Sequence, residues 1–287
     1  MFRRPLFCAT LTEISWTFCP GLPNVDGMND QDPLASFRLD GKVALATGAA
    51  RGIGFAIARA WASVGAAVAI QDIDHAAAHE AVDQLVSQGH RAIALVGDLA
   101  DLAHVESLIP TTVERLGRLD ILLNNGGVQS YGFFDDEQTA ADVEKQFRVN
   151  VTVPMLLIRQ AAKVFIARGE GGRIINVSSV QSFRGVPQMM PYSVSKAALN
   201  HVTSTSARYL AGHAITVNAI APGVVNTLRN TELFSDGQRV TDLQNWIPMK
   251  RPSTPQDTIG AALLLASRAG EYITGQTLFV DGGLSIR

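Results

Sequence analysis

Cysteine is nearly missing from this 287-residue chain: Cys8 and Cys19 are its only two, and both precede residue 40. No disulfide and no cysteine-ligated metal can therefore brace anything beyond that point, which favours a reducing, cytoplasmic setting. Charge is sparse, at 17% of residues, and nearly balanced, with 24 Lys+Arg against 26 Asp+Glu. A net charge of -2 leaves no basic footprint for nucleic acid. No apolar run approaches the about 18–20 residues that a membrane-spanning helix needs. The opening MFRRPLFCATLTEISWTF starts basic, but Thr10, Thr12 and Glu13 break its apolar stretch and no small-residue cleavage site follows. The six histidines include no HExxH or comparable metal-ligating cluster, so no metal is expected. What the chain has in quantity is apolar side chain, 47% of residues, enough for a sizeable core.

Residues 19–37 (CPGLPNVDGMNDQDPLASF) are rich in Pro, Gly, Asn and Asp and show no sustained period. Residues 1–38 are accordingly predicted to be an N-terminal extension, with Met28 as the natural start. From Leu39 the chain alternates between two periods. Short apolar runs at 43–46, 67–70, 92–96, 121–123, 173–177, 215–219 and 277–280 read as strands. Stretches with helical spacing at 55–64, 76–87, 105–115, 141–167, 192–210 and 256–267 lie between them. Strands that are apolar throughout are buried on both faces, and strand–helix alternation implies right-handed crossovers. The expected fold is α/β: a single domain over 39–287, with a doubly wound parallel sheet and helices on both faces. Residues 226–252 carry few periodic signals and are predicted to be a substrate loop.

The turn after the first strand reads Thr47-Gly48-Ala49-Ala50-Arg51-Gly52-Ile53-Gly54. Glycine there permits positive φ and close approach of the backbone to a diphosphate, which the next helix N-terminus stabilises with free N–H groups. Asp72 closes the second strand, 18 residues past Gly54, with Ile73 beside it. A carboxylate at that place accepts hydrogen bonds from the adenosine ribose and repels a 2′-phosphate. Arg51 is a counter-signal, since a basic residue in the loop attracts that phosphate. The balance predicts NAD, with NADP the less favoured cofactor.

A second constellation follows. Tyr192-Ser193-Val194-Ser195-Lys196 opens a helix, and residues four apart share one face, so phenol and ammonium point the same way. Tyrosine ordinarily titrates near pKa ~10, and a neighbouring cation favours tyrosinate, giving a usable general acid/base. Ser179 lies 13 residues upstream, at a strand end where ligand crevices form.

These residues together resemble the short-chain dehydrogenase/reductase family in its single-domain branch. The matching motifs are TGAARGIG (47–54), Asp98-Leu99, NNGG (124–127), Asn150, Ser179, YSVSK (192–196) and PGVVNT (222–227), in family order from Leu39 almost to Arg287. The resemblance implies that Tyr192 is the acid/base and that Lys196 assists it while holding the nicotinamide ribose. It implies that Ser179 hydrogen-bonds the substrate oxygen, and that Asn150 positions a water in a proton relay with Lys196. Gly48, Arg51, Ile53, Gly54, Asp72 and Ile73 would contact the cofactor. Asp98 and Leu99 would flank the adenine, Asn125 would support the cofactor, and Val225 and Thr227 would hold the carboxamide. The family usually has alanine where Gly126 stands. In relatives the C-terminal strand packs across a subunit interface, which implies a homotetramer.

The leading expectation is NAD-linked hydride transfer from a sugar, polyol or secondary alcohol. An NADP-linked reductase of 3-oxoacyl-type carbonyls, a non-catalytic dinucleotide sensor, and an epimerase or dehydratase are the competing readings. Trp246 and Met249 are candidates to close over a ligand, and Gln181 and Gln188 to contact a hydroxylated substrate.

Overall fold

The chain is described by a computed structural model over residues 33–135 and 137–286. The expected start at Met28 and both cysteines lie outside the described residues. The main compact unit is Ser36–Arg287, three residues longer at its N-terminal side than the sequence suggests.

Seven strands form one parallel sheet: β1 Val43–Thr47, β2 Ala67–Asp72, β3 Ala92–Val96, β4 Ile121–Asn124, β5 Gly172–Val177, β6 Ile215–Pro222 and β7 Thr277–Val280. Their order across the sheet is β3-β2-β1-β4-β5-β6-β7, all pairs parallel. Alternation along each strand divides the core in two. Ala44, Ala46, Val68 and Ile70 face helices α1 (Gly52–Ser63), α2 (His75–Ser87) and α9 (Ile259–Ala266). Val43, Leu45 and Ala69 face α3 (Leu102–Leu116), α5 (Val153–Arg168) and α6 (Met190–Leu210). Both faces are apolar because both are covered, which is why the strands read as unbroken apolar runs.

Strand order reverses between β1 and β4, and ligand crevices open at such a switch point, beyond the carboxyl ends of the strands. The motif-bearing turns after β1, β2, β4, β5 and β6 are therefore gathered at one end of the sheet.

Two stretches depart from expectation. The helix expected over 141–167 is broken into α4 (Ala140–Phe147), a π-helical turn Arg148–Thr152, and α5. Taken as one run, Ala140–Arg168 is long and apolar enough by length and composition to cross a membrane, but Arg159, Gln160 and Lys163 interrupt its apolar residues and half of its apolar window is buried inside the protein. Phe165, Leu157 and Ala161 of that run are core residues. The expected loop at 226–252 is largely helical, with α7 (Thr231–Ser235) and α8 (Gly237–Trp246). Asp236 caps α8 by accepting the Gln238 and Arg239 N–H groups, and α8 has no buried residue. Its apolar residues Val240, Leu243 and Trp246 do recur at helical spacing, but over only ten residues, too short a run to read as a period.

Candidate active site

The turn from β1 into α1 is shaped by near-contact rather than by looseness. A Cβ on Gly48 would lie 2.6 Å from the Cα of Gly126, and one on Gly54 would lie 2.8 Å from the Cα of Ala49. Side chains at either place would push the turn off the β4 loop. Thr47 and Asn125 staple the two together. Thr47 Oγ1 accepts the N–H groups of Asn125 and Gly126, each at 3.1 Å, and Asn125 Nδ2 donates to the carbonyls of Thr47 (3.0 Å) and Gly48 (2.6 Å).

From the other side, β2 captures three successive amides of the turn. Gly48 N–H donates to Gln71 Oε1 (3.2 Å), Ala49 N–H to the Gln71 carbonyl (3.0 Å), and Ala50 N–H to Asp72 Oδ2 (3.1 Å). Buried Gln71 also donates through Nε2 to the Gly97 carbonyl at 2.7 Å, tying the turn to the end of β3. Beyond this frame α1 begins at Gly52 with φ +60°. Its N-cap, Arg51, makes no side-chain cap bond, and its first turn holds no acidic residue. Such a helix start suits an anion.

The catalytic candidates come from β5, its following turn, and α6. Ser179 Oγ accepts the Gln181 N–H at 3.2 Å, which leaves its own proton for another acceptor. Lys196 Nζ donates to the Val177 carbonyl at 2.8 Å and lies 5.7 Å from the Tyr192 ring centroid. Tyr192, Ser179 and Lys196 are each at least nine-tenths buried. A Cβ on Gly127 would come within 3.1 Å of Asn150 Oδ1 and 3.5 Å of Lys196 Nζ, so glycine lets the β4 loop settle against both. Asn150, wholly buried in the π turn, accepts the Val128 N–H (2.9 Å) and donates to the Val128 carbonyl (2.8 Å) and to Ser195 Oγ (3.0 Å).

One cleft of about 440 Å³ is lined by Gly48, Arg51, Ile53, Asp72, Asn125, Ser179, Tyr192, Lys196, Val225 and Thr227 among the sequence-derived candidates. The other five lie off it. Gly54 packs under Asn125, Ile73 is 64% exposed beside Asp72, and Asp98 accepts the Ala100 N–H in its own turn at 2.8 Å. Buried Leu99 fills the space where a Cβ on Gly126 would stand, which gives the missing alanine a packing reason. Asn150 stands behind the cleft, with its side-chain amide engaged by Val128 and Ser195. Gln181 lines the cleft and Gln188 does not. Trp246 sits 5.5 Å from the Arg184 guanidinium, and Met249 lines a separate cavity with Gly282 and Gly283, so neither closes this cleft. Gln71 is a structural member that motif reading passes over, and Thr47 is one whose motif reads without a role for its side chain. Only the fold shows which loops their polar groups meet.

Residues 48–285 match the family described as enoyl-(acyl carrier protein) reductase. Galactitol 2-dehydrogenase of Agrobacterium fabrum is 38% identical over 255 residues, covering 86% of this chain and 98% of that protein. Sorbitol dehydrogenase of Cereibacter sphaeroides is 36% identical over 259 residues, covering 86% and 98%. A gluconate 5-dehydrogenase from Burkholderia cenocepacia J2315, solved with NADP and tartrate, is 37% identical with a TM-score of 0.83, covering 88% of this chain and 99% of that one.

Proposed function

Because the chain belongs to the short-chain dehydrogenase/reductase family and is a nicotinamide-dependent oxidoreductase acting on CH–OH groups, we propose that it oxidises a secondary hydroxyl of a sugar or polyol with NAD. The observation that carries the reading is one cleft shared by the Gly48 turn and Asp72 with Ser179, Tyr192 and Lys196.

The residues present fit a dinucleotide. The glycine-lined turn and the uncapped start of α1 suit its diphosphate, Asp72 suits an adenosine ribose, and Val225 and Thr227 stand within the same cleft for the carboxamide. The chemistry it supplies when bound is hydride acceptance at the nicotinamide ring. Tyr192 takes the hydroxyl proton onto its phenolate oxygen. Lys196, anchored on the Val177 carbonyl with its Nζ 5.7 Å from the Tyr192 ring centroid, places positive charge near the phenol in a nearly dry setting, where it acts strongly. Ser179, its Oγ already accepting from Gln181, donates to the substrate oxygen and holds charge that develops there. Asn150 fixes the loop at Val128, which lies against Lys196, and so sets the back wall of the proton path.

Gln129, Tyr131 and Gln181 line the cleft with uncharged hydrogen-bonding groups, which supports a hydroxyl-rich substrate. The galactitol and sorbitol dehydrogenases point the same way. Arg51 on the cleft wall supports the runner-up, an NADP-linked carbonyl reductase. A homotetramer in the cytoplasm belongs to this reading. Phe279 on the outermost strand and exposed Phe183 meet edge-on at 5.9 Å, an apolar surface suited to a second copy.

The test follows near-ultraviolet absorbance as NADH or NADPH forms with polyols, sugars, sugar acids and secondary alcohols, and as either is consumed with the corresponding ketones and 3-oxoacyl-type carbonyls, alongside Tyr192→Phe. Turnover on polyols or sugars that falls about a hundred- to ten-thousandfold in Tyr192→Phe supports the reading. Turnover confined to carbonyl substrates with NADPH would replace it with the reductase.

A further inference from the structure

Arg51 and Asp72 stand on the same cleft wall and ask for opposite cofactors: the guanidinium attracts a 2′-phosphate on the adenosine ribose and the carboxylate repels it. A third residue decides what Arg51 is able to do. Arg51 Nη1 donates to Asp74 Oδ2 at 2.8 Å, across the gap between the β1 turn and the β2 turn. The other oxygen, Asp74 Oδ1, accepts the Ala77 N–H at 3.0 Å as the N-cap of α2. Asp74 is in turn fixed to its neighbour, since its own N–H donates to Asp72 Oδ1 at 3.1 Å. Both of the carboxylate's bonds favour its charged form. Ala77 N–H first and Arg51 second hold Asp74 below the ordinary aspartate range, so it is an anion at neutral pH.

We propose that Asp74 is a specificity-determining residue for the dinucleotide: it holds the Arg51 guanidinium in an ion pair and so withdraws the cation beside Asp72 from a 2′-phosphate. This rests on the reading above, in which the adenosine ribose lies against Asp72. Asp72 repels the phosphate directly, and Asp74 acts through Arg51. Among the described cleft-lining residues the other cation is Lys196, which belongs to the catalytic end. A guanidinium is the preferred planar partner of a phosphate, so its engagement elsewhere bears directly on cofactor choice. The pair is about half exposed on both sides, 53% for Arg51 and 40% for Asp74. Exposed pairs are weak. The tether therefore biases the choice by a modest factor rather than fixing it.

Asp74→Asn tests this without dismantling α2, because asparagine caps a helix as well as aspartate does and keeps an oxygen for the Ala77 N–H. Asp74→Ser, also a good cap and unable to pair with Arg51, is the second variant. The readouts are Kd of NADPH and of NADH by calorimetry on the cofactor-free enzyme, together with kcat/KM for NADP and NAD. In both variants the NADPH preference is expected to rise about two- to fivefold, as a modest exposed pair allows. Adding Arg51→Gln should cancel the rise. A rise that survives Arg51→Gln would overturn the tether, because charge removal alone would then explain it. An unchanged ratio in both variants, with Asp72→Ser still shifting it, would overturn the role of Asp74 and leave the ribose placement standing. If Asp72→Ser also leaves the ratio unmoved, the ribose placement itself falls.

Discussion

Asn150 grips Val128 from both sides, accepting its N–H at 2.9 Å and donating to its carbonyl at 2.8 Å. Both groups are satisfied by one side chain that is itself wholly buried. Asn150→Leu keeps the approximate volume and strips these bonds together with the one to Ser195. Leaving a buried polar group unpaired costs about 1–3 kcal/mol, and because Val128 is only half-buried water takes up part of its loss, so about 2–4 kcal/mol in all is expected in urea unfolding. Because the freed loop lies against Lys196, kcat should fall as well. An Asn150→Leu variant that unfolds like the parent would show that water replaces the grip at no cost.

That grip also marks the limit of what the sequence discloses. The parallel sheet is legible because strands such as Val43–Thr47 are apolar on both faces, and the helices between them carry helical spacing. The π turn holding Asn150 is not legible. It adds a residue to an apolar helical run without changing the composition, so the period reads straight through it. The glycine turn, Asp72, Ser179, Tyr192 and Lys196 are visible as motifs, and the fold gathers them in one cleft. Gln71 and Asp74 carry no such mark, and Thr47, though it opens the glycine-turn motif, carries no sign of its partner. Thr47 meets Asn125 across 78 residues and Arg51 meets Asp74 across 23, and only the strand order brings these pairs together.

Gln71 should matter to cofactor binding far more than to the chemical step. Its side chain holds Gly48 N–H and the Gly97 carbonyl, both in the frame of the diphosphate turn, and it touches nothing at the Tyr192 end. Gln71→Leu frees both groups, so the turn samples conformations that do not bind. Apparent affinity falls by the fraction that remains competent. The expected result is a KM for the dinucleotide raised about tenfold, with kcat at saturation and the KM for the alcohol near their original values. A fall in kcat at saturating cofactor would show that the disturbance reaches the catalytic residues.

His104 links stability to pH from behind the same frame. Its ring packs against Gly97, and its Nε2 lies 3.4 Å from Gln71 Nε2. Burial lowers its pKa from the ordinary 6.5, and the charges of Asp101 and Asp98 oppose that shift without cancelling it. The folded protein therefore holds this imidazole neutral at pH values where the unfolded chain already binds a proton. Stability from this group is complete above about 6.5, declines as pH falls from there to the lowered folded value, and levels off below it. His104→Gln removes the titration. The drop in Tm between neutral and mildly acidic pH should be smaller in this variant than in the parent, and an equal drop would assign the dependence to other groups.

Gly126 and Leu99 share one volume. A Cβ built on Gly126 would overlap Leu99 Cδ1, whereas Gly48 N and Thr47 Oγ1 lie at ordinary contact distances of 3.4 and 3.5 Å. Only the end of a leucine side chain stands in the way, so the position can accept alanine if Leu99 turns aside. Leu99 is buried, and a forced rotamer in a packed interior costs about 1–3 kcal/mol. Gly126→Ala should be destabilising by that amount, and Leu99→Ala should be destabilising through the cavity it leaves. Combined, the new methyl occupies part of the space the leucine vacates, so the double variant should be more stable than the sum of the single losses by about 1 kcal/mol. Urea unfolding of the three variants and the parent closes the cycle. Additivity within about 0.5 kcal/mol, the range for independent sites, would mean that the two residues do not compete for this space.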